Sequence, residues 1–298
     1  MSIRVLLAVS GCAAGTAAAQ RAPEATLPAE QVPPPLEVEV DGRWSLDLSL
    51  RYASDAFSRG IVQRSDAFNL QPSVEIGYKL FAAEAWSLNV FGGLWGHFTD
   101  DTVPGEDGGF DERLNEVDAY LGFTAEFAER WTATAVYTWY ASPASNFEAV
   151  EDLTLSVALD DAGLWGGDDR FALRPYALLA IETGSDGADG GDENGVYFEV
   201  GLAPSLKVYE GGAGGVTLAL PIAAGFSLRD FYELDGEDET FGFATVGVQA
   251  SYALPEGRLG QWTFTAGVDY LLLGDHAEAY NGGDDDEWIV YAEVGWSF

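Results

Sequence analysis

The C-terminal stretch Trp288-Ile289-Val290-Tyr291-Ala292-Glu293-Val294-Gly295-Trp296-Ser297-Phe298 decides the fold. At period two, one face carries Trp288, Val290, Ala292, Val294, Trp296 and Phe298, and the other carries Ile289, Tyr291, Glu293, Gly295 and Ser297. Successive side chains of a strand point to opposite faces, so this is a strand with one apolar and one mostly polar face. Left as an open sheet edge, an apolar, aromatic last strand would invite pairing with other chains. In lipid, a closed barrel removes that edge by pairing the last strand with the first. The expected fold class is all-β, a transmembrane antiparallel up-and-down β-barrel.

Upstream, stretches of alternating polarity recur near 43–53, 68–80, 86–98, 115–127, 131–141, 151–159, 171–183, 196–208, 216–228, 241–254, 262–273 and 288–298, giving about 12 strands. Tilted strands of roughly 9 to 11 residues cross the hydrocarbon layer, and single-chain bacterial barrels use an even number. The 115–127 stretch is the clearest. Val117, Ala119, Leu121, Phe123, Ala125 and Phe127 alternate with Glu116, Asp118, Tyr120, Gly122, Thr124 and Glu126.

Aromatic residues mark both ends of these strands. Trp44, Trp86, Trp131, Phe171 and Trp262 open odd-numbered strands, and Trp296 and Phe298 close the last, so all fall on one rim. Tyr52, Phe68, Phe98, Trp139, Phe198, Phe226, Phe243, Tyr270 and Trp288 fall near the other. Amphipathic rings collect at bilayer interfaces, so two girdles are expected. The connections 54–67, 99–114, 142–150, 184–195, 229–240 and 274–287 are long and assigned outside. Most of the others are short; 160–170 is the exception.

Composition sets outer bounds. A formal charge of −35 argues against nucleic acid, which needs a basic surface. The mean hydropathy near zero suits a barrel, which hides its apolar content by alternation. At the N-terminus, Arg4, the apolar run from Val5 and Ala17-Ala18-Ala19 read as a secretory signal peptide over residues 1–19. Val9-Ser10-Gly11-Cys12 offers a rival reading as a lipoprotein box, so the fate of Cys12 stays open. Residues 20–42, with Pro23, Pro28 and Pro33-Pro34-Pro35, form an extended tail on the periplasmic side, and 43–298 is the barrel.

Inward positions collect the candidate functional residues. Asp47, Arg51, Glu75, Lys79, Glu116, Asp118, Glu126, Arg174, Glu182, Glu199, Lys207 and Asp269 are expected to line the lumen. Mixed charges there either pair to fill a narrow bore or line an ion-selective path. The outer loops are crowded with carboxylates, among them Asp186, Asp189, Asp192, Asp284, Asp285 and Asp286. Such clusters bind calcium or magnesium weakly at most and match no EF-hand spacing, so no dedicated cofactor is expected. Catalysis is not expected. The histidines are His97, placed near the outer rim, and His276, in an acidic loop, and no Gly-x-Ser-x-Gly elbow occurs.

Two sequence likenesses add to this reading. Tyr291, Gly295, Trp296 and the terminal Phe298 resemble the C-terminal signal by which the insertion machinery recognises bacterial outer-membrane barrels. Leu50-Arg51-Tyr52-Ala53-Ser54-Asp55-Ala56-Phe57-Ser58-Arg59-Gly60-Ile61-Val62-Gln63 resembles the opening of the TorF-type porin family. Glu116–Phe123 and Tyr137-Thr138-Trp139-Tyr140 with Pro143 resemble its middle section, so the likeness covers about residues 44–160. Ser58 departs from the family, which commonly has an aromatic before the Arg-Gly pair. The resemblance implies an outer-membrane barrel passing small solutes passively. On the residues themselves, Gly60 turns freely, and Arg59 is free to fold inward to pair with Asp55 or with lumen carboxylates.

The leading expectation is thus a small passive porin of the bacterial outer membrane, favouring cations, in contact with lipid and lipopolysaccharide. The alternatives are a structural or surface-interaction barrel with an occluded lumen and divalent-cation-binding loops, and, further off, a lipid-modifying enzyme. Solute identity, and whether the barrel is a monomer or a homotrimer, are left open by the sequence.

Overall fold

A computed structural model describes residues 43–65, 67–83, 85–100, 113–144, 148–167, 169–184, 194–258 and 260–298. The expected signal peptide and proline-rich tail, and Asp186, Asp189 and Asp192, lie outside the described residues. The chain forms β1 (Trp44–Ala53), β2 (Ala56–Ser58), β3 (Ile61–Arg64), β4 (Asn69–Ala82), β5 (Trp86–Thr99), β6 (Leu114–Phe127), β7 (Trp131–Ala141) and β8 (Val150–Leu159). It continues with β9 (Phe171–Ala172), β10 (Tyr176–Glu182), β11 (Val196–Leu202), β12 (Ser205–Gly211), β13 (Gly214–Ala219) and β14 (Ile222–Arg229). The last elements are β15 (Glu233–Leu234), β16 (Glu237–Asp238), β17 (Phe241–Ala253), β18 (Gln261–Leu273), the short helix α1 (Asp275–Tyr280) and β19 (Asp286–Ser297).

These make a closed antiparallel barrel of 12 strands. The short β2–β3 and β15–β16 hairpins stand apart; among the crossing staves, each pairs with the stave before and after it, and β1 pairs with β19, Arg51 opposite Glu293 and Leu50 opposite Val294. Closure extends to the terminal residue: Leu46 and Phe298 exchange two backbone hydrogen bonds, at 2.7 and 2.8 Å. No edge is left for the apolar last strand to expose.

Three staves expected to be continuous are broken. β9 and β10 are parted at 173–175, β11 and β12 at 203–204, and β13 and β14 at 220–221. Each gap holds a proline (Pro175, Pro204, Pro221), which has no N–H to give the ladder. Their carbonyls still accept, from Leu159, Leu220 and Gly247 at 3.0, 2.8 and 2.8 Å, so inward and outward positions keep their alternation through the kink.

Where β9 leaves β8, the long 160–170 connection supplies the missing partner. Asp161, 2% exposed, accepts from the backbone N–H groups of Leu173 at 2.9 Å and Arg174 at 2.8 Å, and from the Trp165 indole at 2.5 Å. Burial alone would raise its pKa, but the N–H of Arg174, the Trp165 indole and the N–H of Leu173 outweigh it and hold the carboxyl below the usual range. A folded-state pKa below the unfolded one means stability present above the unfolded value and lost as pH falls through the folded one. Asp161→Ala should cost about 3 kcal/mol, because donors are left buried without an acceptor. Urea unfolding in detergent checks the loss, and Asp161→Asn should flatten its dependence on acidic pH.

Both aromatic rims form. Trp44–Tyr78, Phe81–Trp86, Trp262–Trp296 and Trp296–Phe298 meet at 4.7, 4.4, 6.4 and 5.8 Å at the rim holding the C-terminus. Tyr52–Phe68, Phe226–Phe241 and Tyr270–Trp288 meet at 5.2, 6.1 and 4.8 Å at the other. Phe243 departs from its expected place in that girdle. A bulge beside Phe226 pairs it with Phe241, so Phe241 faces out and Phe243 faces in, 3% exposed.

Candidate functional site

The first outer connection does not extend into solvent. Its strands β2 and β3 form a hairpin whose two turn residues, Arg59 at φ 46° and Gly60 at φ 80°, have the left-handed backbone of a type I′ turn. The hairpin folds into the outer half of the bore, burying Ala56, Phe57, Ile61 and Val62 in one cluster with Tyr197, Phe231, Tyr232, Phe243, Leu271, Ile289 and Ala277 of α1. A Cβ on Gly60 would lie 2.8 Å from the Phe243 ring, so only glycine lets the tip reach the opposite wall.

From the tip, the guanidinium of Arg59 donates from Nη2 to Oδ2 of Asp152 on β8 at 2.8 Å, with both side chains buried (3% and 0% exposed). Asp152 has two further donors, Tyr140 to Oδ2 at 2.9 Å and Thr154 to Oδ1 at 3.2 Å, and the Thr154 hydroxyl also accepts from Arg59 at 3.4 Å. Ring faces of Tyr197 and Phe231 stand 5.1 and 5.8 Å from the guanidinium carbon, and Tyr232 donates to the Arg59 carbonyl at 2.5 Å. Arg59 thus folds inward and pairs with a lumen carboxylate, while Asp55 is buried near the hairpin base.

The other lumen candidates occupy inward positions on their strands. Arg51, Glu75, Glu116, Asp118, Glu182 and Asp269 are buried, while Asp47, Lys79, Glu126, Glu199 and Lys207 are partly exposed. Asp118 stands across from Tyr140, and Glu116 takes a contact from Gln63 of the hairpin. Arg51 lies 4.1 Å over the ring of Tyr291. Tyr176 and Tyr197 donate to the two oxygens of Glu199 at 2.7 and 2.5 Å, and Glu182 accepts from the backbone of Gly195 at 2.5 Å. Ser87 donates to Glu126 at 3.0 Å, and Lys207 reaches Asp169 at 3.5 Å. Asp269 fits because its neighbour is Gly247, where a Cβ would come within 2.0 Å of Oδ1. Arg174, also on an inward position, lies in the proline break at φ 49° and pairs with Asp160 of the 160–170 connection at 3.6 Å.

His97, near the outer end of β5, faces inward and is fully buried, between Asn69 Oδ1 at 2.8 Å and Asn115 Nδ2 at 3.3 Å. Asn69 in turn donates to Ser54 and Ala67 carbonyls at the hairpin base. His276 lies in α1 with Nδ1 2.6 Å from the Tyr232 carbonyl. Asp284, Asp285 and Asp286 are exposed, and among the described residues no three acidic, histidine or cysteine side chains converge on a metal-sized site. Of the terminal residues, Tyr291 and Gly295 face in, and Trp296 and Phe298 stack at the rim.

The latch partners Asp152, Tyr140, Thr154, Phe231 and Tyr232 were not among the sequence candidates. Alternation through 150–159 points Asp152 and Thr154 inward, so that signal was present. Nothing local announces that Phe231 and Tyr232, in an acidic connection, turn into the bore.

No family model matches the chain, and no curated protein matches it. Solved structures do. An outer membrane channel from Pseudomonas putida F1 is similar at TM-score 0.55 and 12% identity, covering 86% of this chain and 96% of that one. The beta domain of the Bordetella autotransporter BrkA is similar at TM-score 0.45 and 13% identity, covering 86% and 99%. The NanC porin follows at TM-score 0.41 and 11% identity, covering 84% and 98%. The chain thus shares its closed-barrel fold with the Pseudomonas putida F1 outer membrane channel.

Proposed function

We propose that this barrel is a narrow, passive channel of the bacterial outer membrane, of the TorF-type porin kind, favouring small cations. The carrying observation is the bore itself: an inner wall rich in carboxylates, closed in its outer half by a hairpin locked through Arg59 and Asp152. Carboxylates such as Asp47, Glu75, Glu126 and Glu199 outnumber nearby cations and give the path a negative potential, which concentrates cations. The shared architecture with a Pseudomonas putida F1 protein described as an outer membrane channel supports this reading. It assigns the chain no catalytic role. Its surroundings are then outer-membrane lipid and lipopolysaccharide, reached through the barrel-insertion machinery.

The filled outer half also favours a second reading, a surface barrel that conducts nothing. Planar-bilayer recording under a potassium chloride gradient separates the two. The channel reading expects brief openings with a cation-selective reversal potential, weakened in Glu75→Gln. Silence at every voltage, in the wild type and in variants without the latch, would leave the surface barrel.

A further inference from the structure

We propose that the recess holding the Arg59 side chain is a recognition site for small guanidinium-bearing cations, with Arg59 as its tethered occupant. This deepens the channel reading by naming the class of solute whose passage the outer mouth controls, and it rests on that reading for passage but not for binding.

Four features argue for a site built around a cation. The acceptor has donors besides Arg59: Tyr140 donates to Asp152, and so does Thr154, whose hydroxyl itself accepts from Arg59 at 3.4 Å. Asp152 is fully buried, so an ionised carboxylate there demands a counter-charge. Two aromatic faces stand within about 6 Å of the guanidinium carbon, the range in which ring quadrupoles attract a cation. The hydroxyl of Tyr197 is bound to Glu199, which fixes that ring in place. A flat, weakly hydrated, hydrogen-bonding cation suits such a recess better than a compact, strongly hydrated alkali ion. The hairpin that brings Arg59 here belongs to an outer connection, so an incoming solute meets the recess on entry, and displacing Arg59 releases the hairpin tip.

The test is calorimetric titration of the full-length barrel in detergent with guanidinium chloride, and with urea as the neutral isostere. Arg59→Gly empties the recess and suits the turn, since glycine accepts the φ of Arg59. It should bind guanidinium about tenfold tighter than the wild type, and about tenfold tighter than Arg59→Gly/Asp152→Asn, the margin of one charge-assisted pair. Urea should not distinguish the three proteins. Equal guanidinium binding by all three, or urea matching guanidinium, overturns the proposal. If Arg59→Gly refolds poorly, millimolar guanidinium should restore its folded yield while the double variant folds without it, and absence of that rescue also overturns it. Calorimetry reads binding without conduction. A silent barrel that binds guanidinium would therefore retire the channel and keep the site, and a conducting barrel that does not bind would do the reverse.

Discussion

Asp152→Ala is expected to loosen the outer mouth of the barrel. The substitution removes the buried carboxylate to which the Arg59 guanidinium, 3% exposed, donates. Removing one partner of a buried ion pair costs about 3–5 kcal/mol, because the survivor stays desolvated and uncompensated. The protein has two ways to respond. Either the hairpin stays and the cost appears as lost stability, or the hairpin swings out, re-solvates Arg59 and limits the loss. Phe57, Ile61 and Val62 oppose release, each contributing about 1.5–3 kcal/mol by burial, so departure is partial. Even so, each ~1.4 kcal/mol relieved by opening raises the open population tenfold. Single-channel recording should show much longer openings, with a lowered urea midpoint. Arg59→Gly/Asp152→Ala, which removes both charges, should recover most of the stability. An Asp152→Ala barrel with the wild-type midpoint and wild-type current would show that the pair is no latch.

The staves were legible because lipid outside and polar groups inside write period-two alternation into each one, as along Glu116–Phe127. The same period runs through the kinks at Pro175, Pro204 and Pro221. The kinks themselves needed only the rule that a proline inside a strand argues for an interruption, and reading 171–183 as one strand ignored it. The bulge that trades Phe241 for Phe243 in the outer girdle is a register event between two strands, with no marker in either alone. The inward fold of the first connection is different again. Its turn chemistry, Arg59-Gly60, was visible, but its partners lie on β7, β8 and β11 and in the 229–240 connection, and long-range packing of that kind leaves no local periodicity. The inward burial of His97 left no local mark, because its partners Asn69 and Asn115 come from neighbouring strands and become neighbours only on pairing.

The largest effect on the barrel as a whole should come from placing a charge on its outer face. Leu121, midway along β6, is 58% exposed beside the similarly outward Leu94 and Ile76, each 51% exposed. If acyl chains cover that band, Leu121→Arg should cost about 2–4 kcal/mol, the penalty for arginine at the bilayer midplane of a barrel. Leu164, 55% exposed in the 160–170 connection, is the control. Leu164→Arg lies outside the crossing staves and should shift stability by no more than about 0.5 kcal/mol, as surface changes do. Both residues present as much apolar surface, so burial by protein cannot separate them, and only the identity of the solvent can. Urea unfolding from lipid vesicles measures both. Equal midpoints for the two variants and the wild type would mean that water wets the outer face, and the bore would then have no membrane to connect across. A loss confined to Leu121→Arg would place the hydrocarbon layer at the level of Arg51 and Glu75, directly below the hairpin, so that any ion crossing must pass the Arg59–Asp152 pair.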